Sequence, residues 1–377
     1  MYVSAWPGLT FRDVFGMRKR RRTPFPLDAE NQNMFHVARS GIYHLFRALA
    51  FTPGETVLVP DYHSGNELAA IHAAGAGVTL YPIRRNFEPD LDVLADLARK
   101  LKPRAIYIIH YLGWPQPMKE IQALCAEYGS ILIEDCALSL LSSFGQRPLG
   151  TFGDYSIFCL YKTLPVPNGG VLVQNRQPLT KLERLRLNPC PRAAAAGRSA
   201  ELALEALRSR FDSPGKALFN LKRAIGRRIR SSGVKHVPVG DIGWDIRNVN
   251  IAMSPLSSRV MCHQDYDHIR EKRRANFILL KRLTAGRVSM PREDVPDCPL
   301  FFPVLVRDKH DAAEALRQSG IEAVEFWNGS QNHLTIGPDA SFLRAHVLEL
   351  PIHQGVSTAQ IEFIADRFLQ LNPEPAC

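Results

Sequence analysis

The sequence lacks the features that would place it in a membrane or in an oxidising compartment. No apolar run approaches the roughly 18 residues that a membrane span needs. The stretch "MYVSAWPGLTFRDVFGMRKRRRT" has its charges after its apolar part, which is the reverse of a signal peptide. The seven cysteines are scattered, and none belongs to a Cys-x-x-Cys pair. We therefore expect free thiols in a reducing cytoplasm.

Sequence signatures for several classes of site are also missing. No Gly-x-Gly-x-x-Gly or Walker-type loop occurs, so neither signature of a nucleotide-binding loop is present. His263 and His268 could suggest a pair of metal ligands, but they are five residues apart on a predicted helix and would not share a face. The sequence therefore predicts no metal site.

Positive charge is distributed unevenly. The formal net charge is +10, and much of the excess lies in residues 18–22, "RKRRR", and in residues 208–230. Contact with an anionic surface would explain these clusters, whether that surface is nucleic acid, a phosphorylated substrate or a peripherally contacted membrane. The simpler interpretation is two solvated segments without a partner, because no aromatic interleaving or nucleic-acid motif accompanies them.

From Phe35 to Val173 short apolar runs alternate with segments of helical periodicity. Such alternation predicts a mostly parallel sheet with helices on both of its faces, that is, an α/β fold. Ligands of such folds bind at the carboxyl ends of the strands. The predicted strands are Thr56–Pro60, Val78–Ile83, Arg104–Tyr111 and Ser130–Asp135.

The alternation fails between Pro191 and Gly233, which we interpret as an insertion. A single long helix is predicted from Pro255 to Leu283, followed by a strand at "FFPVLV", the helical stretch "DAAEALRQSG" and a last helix "TAQIEFIADRFLQL". We therefore expect a smaller α/β domain at the carboxyl end. The predicted division is an amino-terminal arm at 1–34, a large domain at 35–250 and the long helix with the small domain at 251–377.

Three features lie at predicted strand ends or helix starts. Ser40 and Gly41 open a helix, whose free N–H groups suit a phosphate, although this pair is also an ordinary helix cap. Asp135 ends a buried strand. Lys162 follows the apolar run "YSIFCLY", where an ammonium is costly to bury unless the amine is used chemically; otherwise it would have to reach solvent.

These three features match the needs of one cofactor. Pyridoxal 5′-phosphate requires N–H donors for its phosphate, a carboxylate for its pyridinium nitrogen and a lysine for its aldehyde. A buried lysine that bonds to that aldehyde no longer has to carry a desolvated charge. The sequence therefore predicts a pyridoxal phosphate site.

At this point the chain resembles the DegT/DnrJ/StrS family of pyridoxal phosphate-dependent sugar aminotransferases. Six stretches between about Phe35 and Phe368 carry the resemblance, in the family's order. They are "SGIYHLFRAL…PGETVLVPDYHS", "HYLGWP", "IEDCA", "LGTFGDYSIFCLYKTLPVPNGGVLV", "VNIAMSPLSSRV" and "LPIHQGVSTAQIEFI". The resemblance implies the fold-type-I aminotransferase architecture, a mostly parallel central sheet flanked by helices with a smaller C-terminal α/β domain.

The resemblance also implies roles for individual residues. Lys162 would form a Schiff base with the cofactor, and Asp135 would pair with the pyridinium nitrogen. Ser40 and Gly41 would meet the phosphate. Asn250 matches the family's asparagine that reaches the phosphate of the neighbouring subunit's cofactor, which implies a homodimer with shared active sites.

Other positions match less closely. The residue stacked on the cofactor ring would come from "PDYHSG", and we choose His63 over Tyr62. Ile42 stands where the family has the threonine of Ser-Gly-Thr, so a phosphate hydroxyl is missing. Cys159 replaces the serine or threonine before the lysine, and Leu138 replaces a glutamine or histidine after the aspartate. We include Ile42 and Cys159 among the cofactor-binding positions.

The resemblance implies transfer of an amino group from glutamate or glutamine to a keto sugar of the nucleotide-linked kind, for use in polysaccharide or glycoconjugate biosynthesis. One alternative is a keto-sugar dehydratase, a branch in which histidine replaces the lysine, so that Lys162 argues against it. A second alternative, favoured by the lost hydroxyl and the basic segments, is a binding protein of this fold that has lost turnover.

Overall fold

The structure is a computed structural model that describes residues 1–16, 23–176, 178–211, 244–327 and 336–371. Its strands are short and are numbered β1 to β11 along the chain. They are β1 Gln32–Phe35, β2 Thr56–Pro60, β3 Gly77–Tyr81, β4 Ala105–Ile109, β5 Ile131–Asp135, β6 Ser143–Phe144, β7 Arg147–Pro148, β8 Tyr155–Cys159, β9 Gly170–Gln174, β10 Phe301–Leu305 and β11 Val347–Pro351.

The helices of the described residues are numbered α1 to α12. They are α1 Phe11–Phe15, α2 Ala38–Leu49, α3 Asn66–Ala73, α4 Leu91–Leu101, α5 Met118–Tyr128, α6 Thr180–Glu183, α7 Arg192–Arg210, α8 Pro255–Met261, α9 Tyr266–Leu283, α10 Lys309–Gln318, α11 Pro338–His346 and α12 Thr358–Leu371. Within these residues, no helix is both long and apolar enough to cross a membrane.

The central sheet has seven strands in the order β1-β9-β8-β5-β4-β2-β3. The strands from β8 to β3 are parallel to one another. β9 is antiparallel to its neighbours on both sides, so the edge strand β1 has the same direction as the parallel strands. Every residue of β4, β8 and β9 is buried, as expected for a sheet covered on both faces. The predicted mostly parallel α/β sheet is therefore confirmed.

The strand order places helices on both faces of the sheet. The chain steps outward from β2 to β3 and then returns past β2 to β4. Right-handed crossovers in opposite directions put α3 on one face and α4 with α5 on the other. The reversal also creates a switch point between the carboxyl ends of β2 and β4, where α/β sheets bind ligands.

The prediction of one helix from Pro255 to Leu283 is wrong, because two helices occupy this stretch. The first, α8, ends at Met261, and α9 begins at Tyr266. The side chain of Asp265 accepts a hydrogen bond from the His268 backbone N–H, so that it caps α9 as a new helix.

The carboxyl-terminal part contains the predicted strand as β10 and the two predicted helices as α10 and α12. β10 and β11 form an antiparallel pair, and α10 and α12 contact each other. Arg273 of α9 is 1% exposed and donates hydrogen bonds to the carbonyls of Thr163, Pro299 and Leu300. It therefore ties this part of the molecule to the backbone beside Lys162.

The first residues of the chain pack against its last third. Val3 forms a bridge with Ile321, and the backbone carbonyl of Ser4 hydrogen-bonds Nε2 of His353 at 3.0 Å. β1 joins the central sheet although three of its four residues precede residue 35. The division into 1–34, 35–250 and 251–377 stays a prediction.

Candidate functional site

Lys162 ends a single turn of 3-10 helix, residues 160–162, that follows β8. It is 7% exposed, so an ammonium at this position is largely desolvated. Its Nζ lies 5.4 Å from the centroid of the Phe326 ring. The lysine thus lies one turn beyond the strand end that the sequence predicts, next to an aromatic wall.

Asp135 is the last residue of β5 and is 2% exposed. Its Oδ2 accepts a 2.5 Å hydrogen bond from the Tyr107 hydroxyl, and its Oδ1 accepts one of 2.8 Å from the Ala137 backbone N–H. Burial raises the pKa of the Asp135 carboxyl, while these hydrogen bonds and the Lys162 ammonium oppose the rise. Asp135 is therefore a buried carboxyl held by donors that favour its charged form.

Asp135 and Lys162 come together because their strands are neighbours. β5 and β8 are parallel, and Asp135 is opposite Ile157 in the register. The Cys136 backbone N–H donates to the Ile157 carbonyl at 2.8 Å and extends the pairing by one residue. Both residues lie at the carboxyl edge of the sheet, as the sequence predicts.

Ser40 and Gly41 lie in the first turn of α2 and are both buried. A Cβ added to Gly41 would lie 3.4 Å from Phe35 and Leu172 side-chain atoms, which is ordinary packing. Ile42 is 3% exposed and belongs to the hydrophobic core. The position that the family fills with threonine therefore offers no polar group here.

A glycine brings the lysine loop against the start of α2. A Cβ added to Gly170 would lie 2.4 Å from the Ala38 backbone nitrogen, so no larger residue fits. The backbone N–H of Gly169 donates to the His36 carbonyl at 2.9 Å, and that of Leu160 donates to the Gly169 carbonyl at 3.0 Å. Two hydrogen bonds thus connect the turn that carries Lys162 to the residues that precede α2.

A cleft borders the amino end of α2. Arg39 and Ser40 line it on the helix side, and Trp244, Asp245 and Asn248 line it on the other side. Arg39 is 9% exposed. A guanidinium beside a helix amino terminus suits an anion, and the sequence analysis did not identify Arg39 as part of the site.

Asn250 lies next to α2 of its own chain. Its backbone carbonyl accepts a 2.7 Å hydrogen bond from the Asn188 N–H, and the Ala252 N–H donates to the Asn188 carbonyl at 2.9 Å. Its side chain hydrogen-bonds His44, whose pKa is lowered by burial and raised in part by this contact. The structure thus places Asn250 beside α2, and its contact with a second subunit stays a prediction.

His63 and Tyr62 follow β2 at the switch point of the sheet. His63 is 5% exposed, and burial lowers its pKa to about 3; its Nδ1 accepts a 2.9 Å hydrogen bond from the Gly65 N–H. Tyr62 packs among aromatic rings, with 4.7 Å between its centroid and that of Trp327. The choice of His63 as the stacking residue stays a prediction.

Cys159 is the last residue of β8 and is 1% exposed. It lies three residues before Lys162, within the hydrophobic core of the described residues. The predicted contact of Cys159 with a cofactor stays a prediction.

A cluster of possible metal ligands lies directly behind Asp135. One ligand atom each of His110, Glu134 and Cys136 lie within 4.8 Å of one another. Glu134 accepts hydrogen bonds from the N–H groups of Gly150 and Gly153 and contacts Nε2 of His110 at 3.0 Å. Because the other ring nitrogen of His110 accepts from the Gln116 N–H, hydrogen bonds account for the histidine and the carboxylate without an ion.

The sequence analysis also missed Tyr107 and Phe326. Tyr107 lies in the middle of β4, and its hydroxyl reaches across to Asp135 on the next strand. The one signal in the sequence was the tyrosine hydroxyl within the apolar run "AIYII", because a buried hydroxyl needs a hydrogen-bond partner. Phe326 comes from a segment far along the chain and has no local signal.

Comparisons with known proteins agree on the kind of fold and on one family. The model of the DegT/DnrJ/EryC1/StrS aminotransferase family matches residues 37–207. *Vibrio cholerae* GDP-perosamine synthase is 33% identical over 134 residues, which cover 34% of this chain and 35% of that protein. A dTDP-4-dehydro-2,3,6-trideoxy-D-glucose 4-aminotransferase from *Saccharopolyspora spinosa* is 30% identical over 181 residues, 45% of each chain.

The similarity to solved structures covers more of the chain. *Helicobacter pylori* PseC, an aminotransferase involved in the biosynthesis of pseudoaminic acid, superposes with a TM-score of 0.71 over 98% of both chains at 15% identity. At that identity the superposition shows the fold alone. By contrast, the sequence matches span between a third and a half of the length of the two curated relatives.

Proposed function

Because the model of the DegT/DnrJ/EryC1/StrS aminotransferase family matches residues 37–207, we propose that the chain is a pyridoxal phosphate-dependent transaminase of that family. This match confirms the resemblance for the four of the six sequence stretches that lie within residues 37–207. The observation that carries the proposal is the pair of buried groups, Lys162 and Asp135, on neighbouring strand ends.

The residues present fit this cofactor. The buried amine of Lys162 suits its aldehyde, and the buried carboxylate of Asp135 suits its ring nitrogen. The backbone at Gly170 lies directly against the start of α2. There Arg39 and Ser40 line a cleft that would receive the phosphate, with the Arg39 guanidinium as its counter-charge. When bound, pyridoxal phosphate supplies an electron sink for the electrons of a broken Cα–H bond.

The protein's own groups would perform the proton transfers. Lys162 would hold the aldehyde group of the cofactor, and its amine, when free, would act as the base and acid that moves a proton from and to the substrate. Asp135 keeps the ring nitrogen protonated, which requires the carboxylate form that Tyr107 and the Ala137 N–H stabilise. Phe326 covers Lys162 and limits its contact with water.

We propose that the amino donor is glutamate or glutamine and that the acceptor is a keto sugar linked to a nucleotide. Both curated relatives described above are named for nucleotide-linked sugars, and the solved relative is involved in the biosynthesis of pseudoaminic acid. The product would serve polysaccharide or glycoconjugate biosynthesis.

We also propose a cytoplasmic homodimer with shared active sites. Asn250 would reach the cofactor phosphate of the partner subunit, while its own chain holds it beside α2. In the cytoplasm, the basic segments would face anionic lipid headgroups at the membrane surface.

Two alternatives differ from transamination at particular residues. A dehydratase of this family would have histidine in place of Lys162, so the buried lysine disfavours it. A binding protein without turnover is supported by Ile42, which lies in the core and offers the phosphate no hydroxyl.

Absorbance and a half-reaction test the proposal. We expect the purified protein, supplied with pyridoxal phosphate, to show a visible absorbance band that glutamate or glutamine converts to the pyridoxamine form. The Lys162→Ala variant should lose the band and turnover while its thermal unfolding stays unchanged. A protein without the band would favour the binding protein, and a band that no amino donor alters would exclude transamination.

A further inference from the structure

The turn that carries Lys162 has few hydrogen bonds of its own. It is three residues long, and the backbone N–H groups of Thr163 and Leu164 donate to the Leu160 carbonyl at 3.1 and 2.8 Å. A single turn of 3-10 helix has poor hydrogen-bond geometry, so it keeps its shape only where other parts of the molecule support it. The position of the Lys162 amine therefore depends on the groups that hold the two ends of this turn.

Two side chains from the last third of the chain hold the carbonyl of Thr163, the residue after Lys162. Nη2 of Arg273 in α9 donates to it at 3.2 Å, and Nε2 of Gln354 donates to it at 2.9 Å. Nε of Arg273 also donates to Oε1 of Gln354 at 2.9 Å, so the three groups form a closed set of hydrogen bonds. Among the described residues no backbone N–H donates to this carbonyl, which therefore depends on the two side chains.

Arg273 is buried without a carboxylate partner. Among the described residues no acidic side chain forms an ion pair with it, and its hydrogen bonds go to neutral oxygens. Burial lowers the pKa of the Arg273 guanidinium to about 10, so the group keeps its charge near neutral pH. Because apolar residues fill such a position at lower cost, packing alone is a poor reason for an arginine here. Its planar fork, which reaches three backbone carbonyls, is a better one.

The same face of α9 also fixes the segment that carries Gln354. Nδ2 of Asn276 donates to three carbonyls of this segment at 3.1 to 3.3 Å: Ile352, His353 and Val356. Arg273 and Asn276 are three residues apart and therefore lie on one face of the helix. The turn of Lys162 is thus fixed relative to α9 and the segment after β11, as well as to the central sheet.

We propose that Arg273 and Gln354 are positioning residues for Lys162, which they orient through the carbonyl of Thr163. The inference rests on the proposed reaction of Lys162 with pyridoxal phosphate. A reacting amine must be held close to its productive geometry, because a displacement of about 1 Å can cost about 10²-fold in rate. Hydrogen bonds to the backbone of the next residue limit how far the Lys162 backbone can shift or rotate.

The alternative is that these hydrogen bonds only join α9 to the segment after β11. In that case the acceptor on Gln354 matters and its donor to Thr163 does not. Gln354→Glu separates the two roles, because a carboxylate accepts from Arg273 as an ion pair but has no N–H for the Thr163 carbonyl. Since Gln354 is only partly buried, the variant should fold and should unfold at no lower temperature.

Kinetics and circular dichroism of the full-length protein with pyridoxal phosphate give the first test. We expect Gln354→Glu to lower kcat by about 10- to 100-fold and to change KM by less than about threefold, because Lys162 acts in the chemical step. The dichroism of the visible band, per bound cofactor, should fall, since a looser lysine holds the ring in more than one orientation. Arg273→Lys should have the same effects, because an ammonium cannot replace the fork.

A second measurement needs no cofactor. Trinitrobenzenesulfonate modifies lysine amines, and mass spectrometry of the digested protein gives the rate at Lys162. Because Lys162 is buried, modification requires local opening of its turn. We expect modification about two- to tenfold faster in Gln354→Glu, which corresponds to the loss of one hydrogen bond.

Gln360→Glu is the matched control. Nε2 of Gln360 donates to the Tyr2 carbonyl at 3.0 Å, and its Oε1 accepts from the Ser357 N–H at 2.9 Å. The same change of amide to carboxylate thus removes a donor to a backbone carbonyl that does not belong to the turn of Lys162. We expect kcat, dichroism and the rate of modification at Lys162 to match the unaltered protein.

The outcomes separate this inference from the proposed function. If the unaltered protein forms no visible band, transamination fails, and the rate of modification at Lys162 alone decides whether Gln354 holds the turn. If the unaltered protein is active, an unchanged kcat in Gln354→Glu would overturn the positioning role, even with faster modification. Equal effects in Gln354→Glu and Gln360→Glu, or a loss of activity that accompanies a lower unfolding temperature, would also overturn it.

Discussion

The hydroxyl of Tyr107 on β4 donates a 2.5 Å hydrogen bond to Oδ2 of Asp135 on β5. Both side chains are buried, and the bond joins the middle of one strand to the end of the next. A donor at this position stabilises the charged carboxylate relative to the neutral acid. In the proposed reaction Tyr107 is therefore a positioning residue that acts through Asp135.

Tyr107→Phe should move the acidic limb of the pH profile of kcat/KM to higher pH. Burial already raises the pKa of Asp135, and losing the donor would raise it further, so the carboxylate would be lost at a higher pH. A hydrogen bond to a charged group contributes about 1.5–3 kcal/mol, or about one to two pH units. Tyr81→Phe, which removes a hydroxyl bonded only to the Tyr107 carbonyl, is the control. An unmoved acidic limb in Tyr107→Phe would contradict the role.

Asp135→Asn should retain part of the cofactor but lose activity by about 10²–10⁴-fold. The amide oxygen can still accept from the Ala137 N–H, and the Tyr107 hydroxyl can accept from the amide NH2, so the fold should be kept, but a neutral group cannot hold the proton on the ring nitrogen. Steady-state kinetics and the absorbance of bound cofactor measure the two effects. Near-normal rates would mean that another residue holds the proton.

Mixing Asn250→Ala with Lys162→Ala should restore part of the activity that each variant lacks. If Asn250 serves the partner's cofactor, one site of each mixed dimer has both intact residues. Alone, Asn250→Ala should weaken retention of pyridoxal phosphate by about 1.5–3 kcal/mol, the contribution of one hydrogen bond to a charged acceptor. Subunit exchange must be shown by mass. A mixture that exchanges and stays inactive would place the site within one chain.

His353→Gln should reduce the loss of stability on acidification. Burial lowers the pKa of His353 to about 3, so between about pH 6.5 and that value the unfolded chain binds a proton that the folded chain does not. Stability from this group is present above pH 6.5 and is lost as the pH falls. We expect the slope of unfolding free energy against pH, measured by urea titration between pH 6 and 4, to decrease by about 1.4 kcal/mol per pH unit. The exposed His72→Gln should keep the full slope.

The sheet was predictable because burial on both faces leaves continuous apolar runs. The strand that ends at Asp135 was predicted to within one residue of its observed bounds, and the strand Thr56–Pro60 matches at both ends. The proximity of Lys162 and Asp135 follows from the rule that parallel strands end at one edge. The local sequence pattern was sufficient to predict the position of a residue wherever that position depends only on the strand that contains or precedes it.

Other features depend on contacts that the local sequence does not encode. Helical periodicity continues through "MCHQDYD", which has no Pro or Gly to mark the end of a helix. The break is instead made by the side chain of Asp265, which caps the second helix. The direction of β9 cannot be read from an apolar run, because parallel and antiparallel strands have the same period. Arg39, Tyr107 and Phe326 reach the site only through the assembled fold.

The hydrogen bonds between Asn188 and the residues on either side of Ile251 have a consequence for how the chain can change. They close the base of a 61-residue excursion, 189–249, so that its two ends leave and re-enter the body side by side. Closing a longer loop costs little, about 0.6 kcal/mol for each doubling of its length. The length of the excursion between Phe211 and Trp244 could therefore change while Lys162 and the cleft at the start of α2 keep their places, which makes that part of it a natural position for grafting.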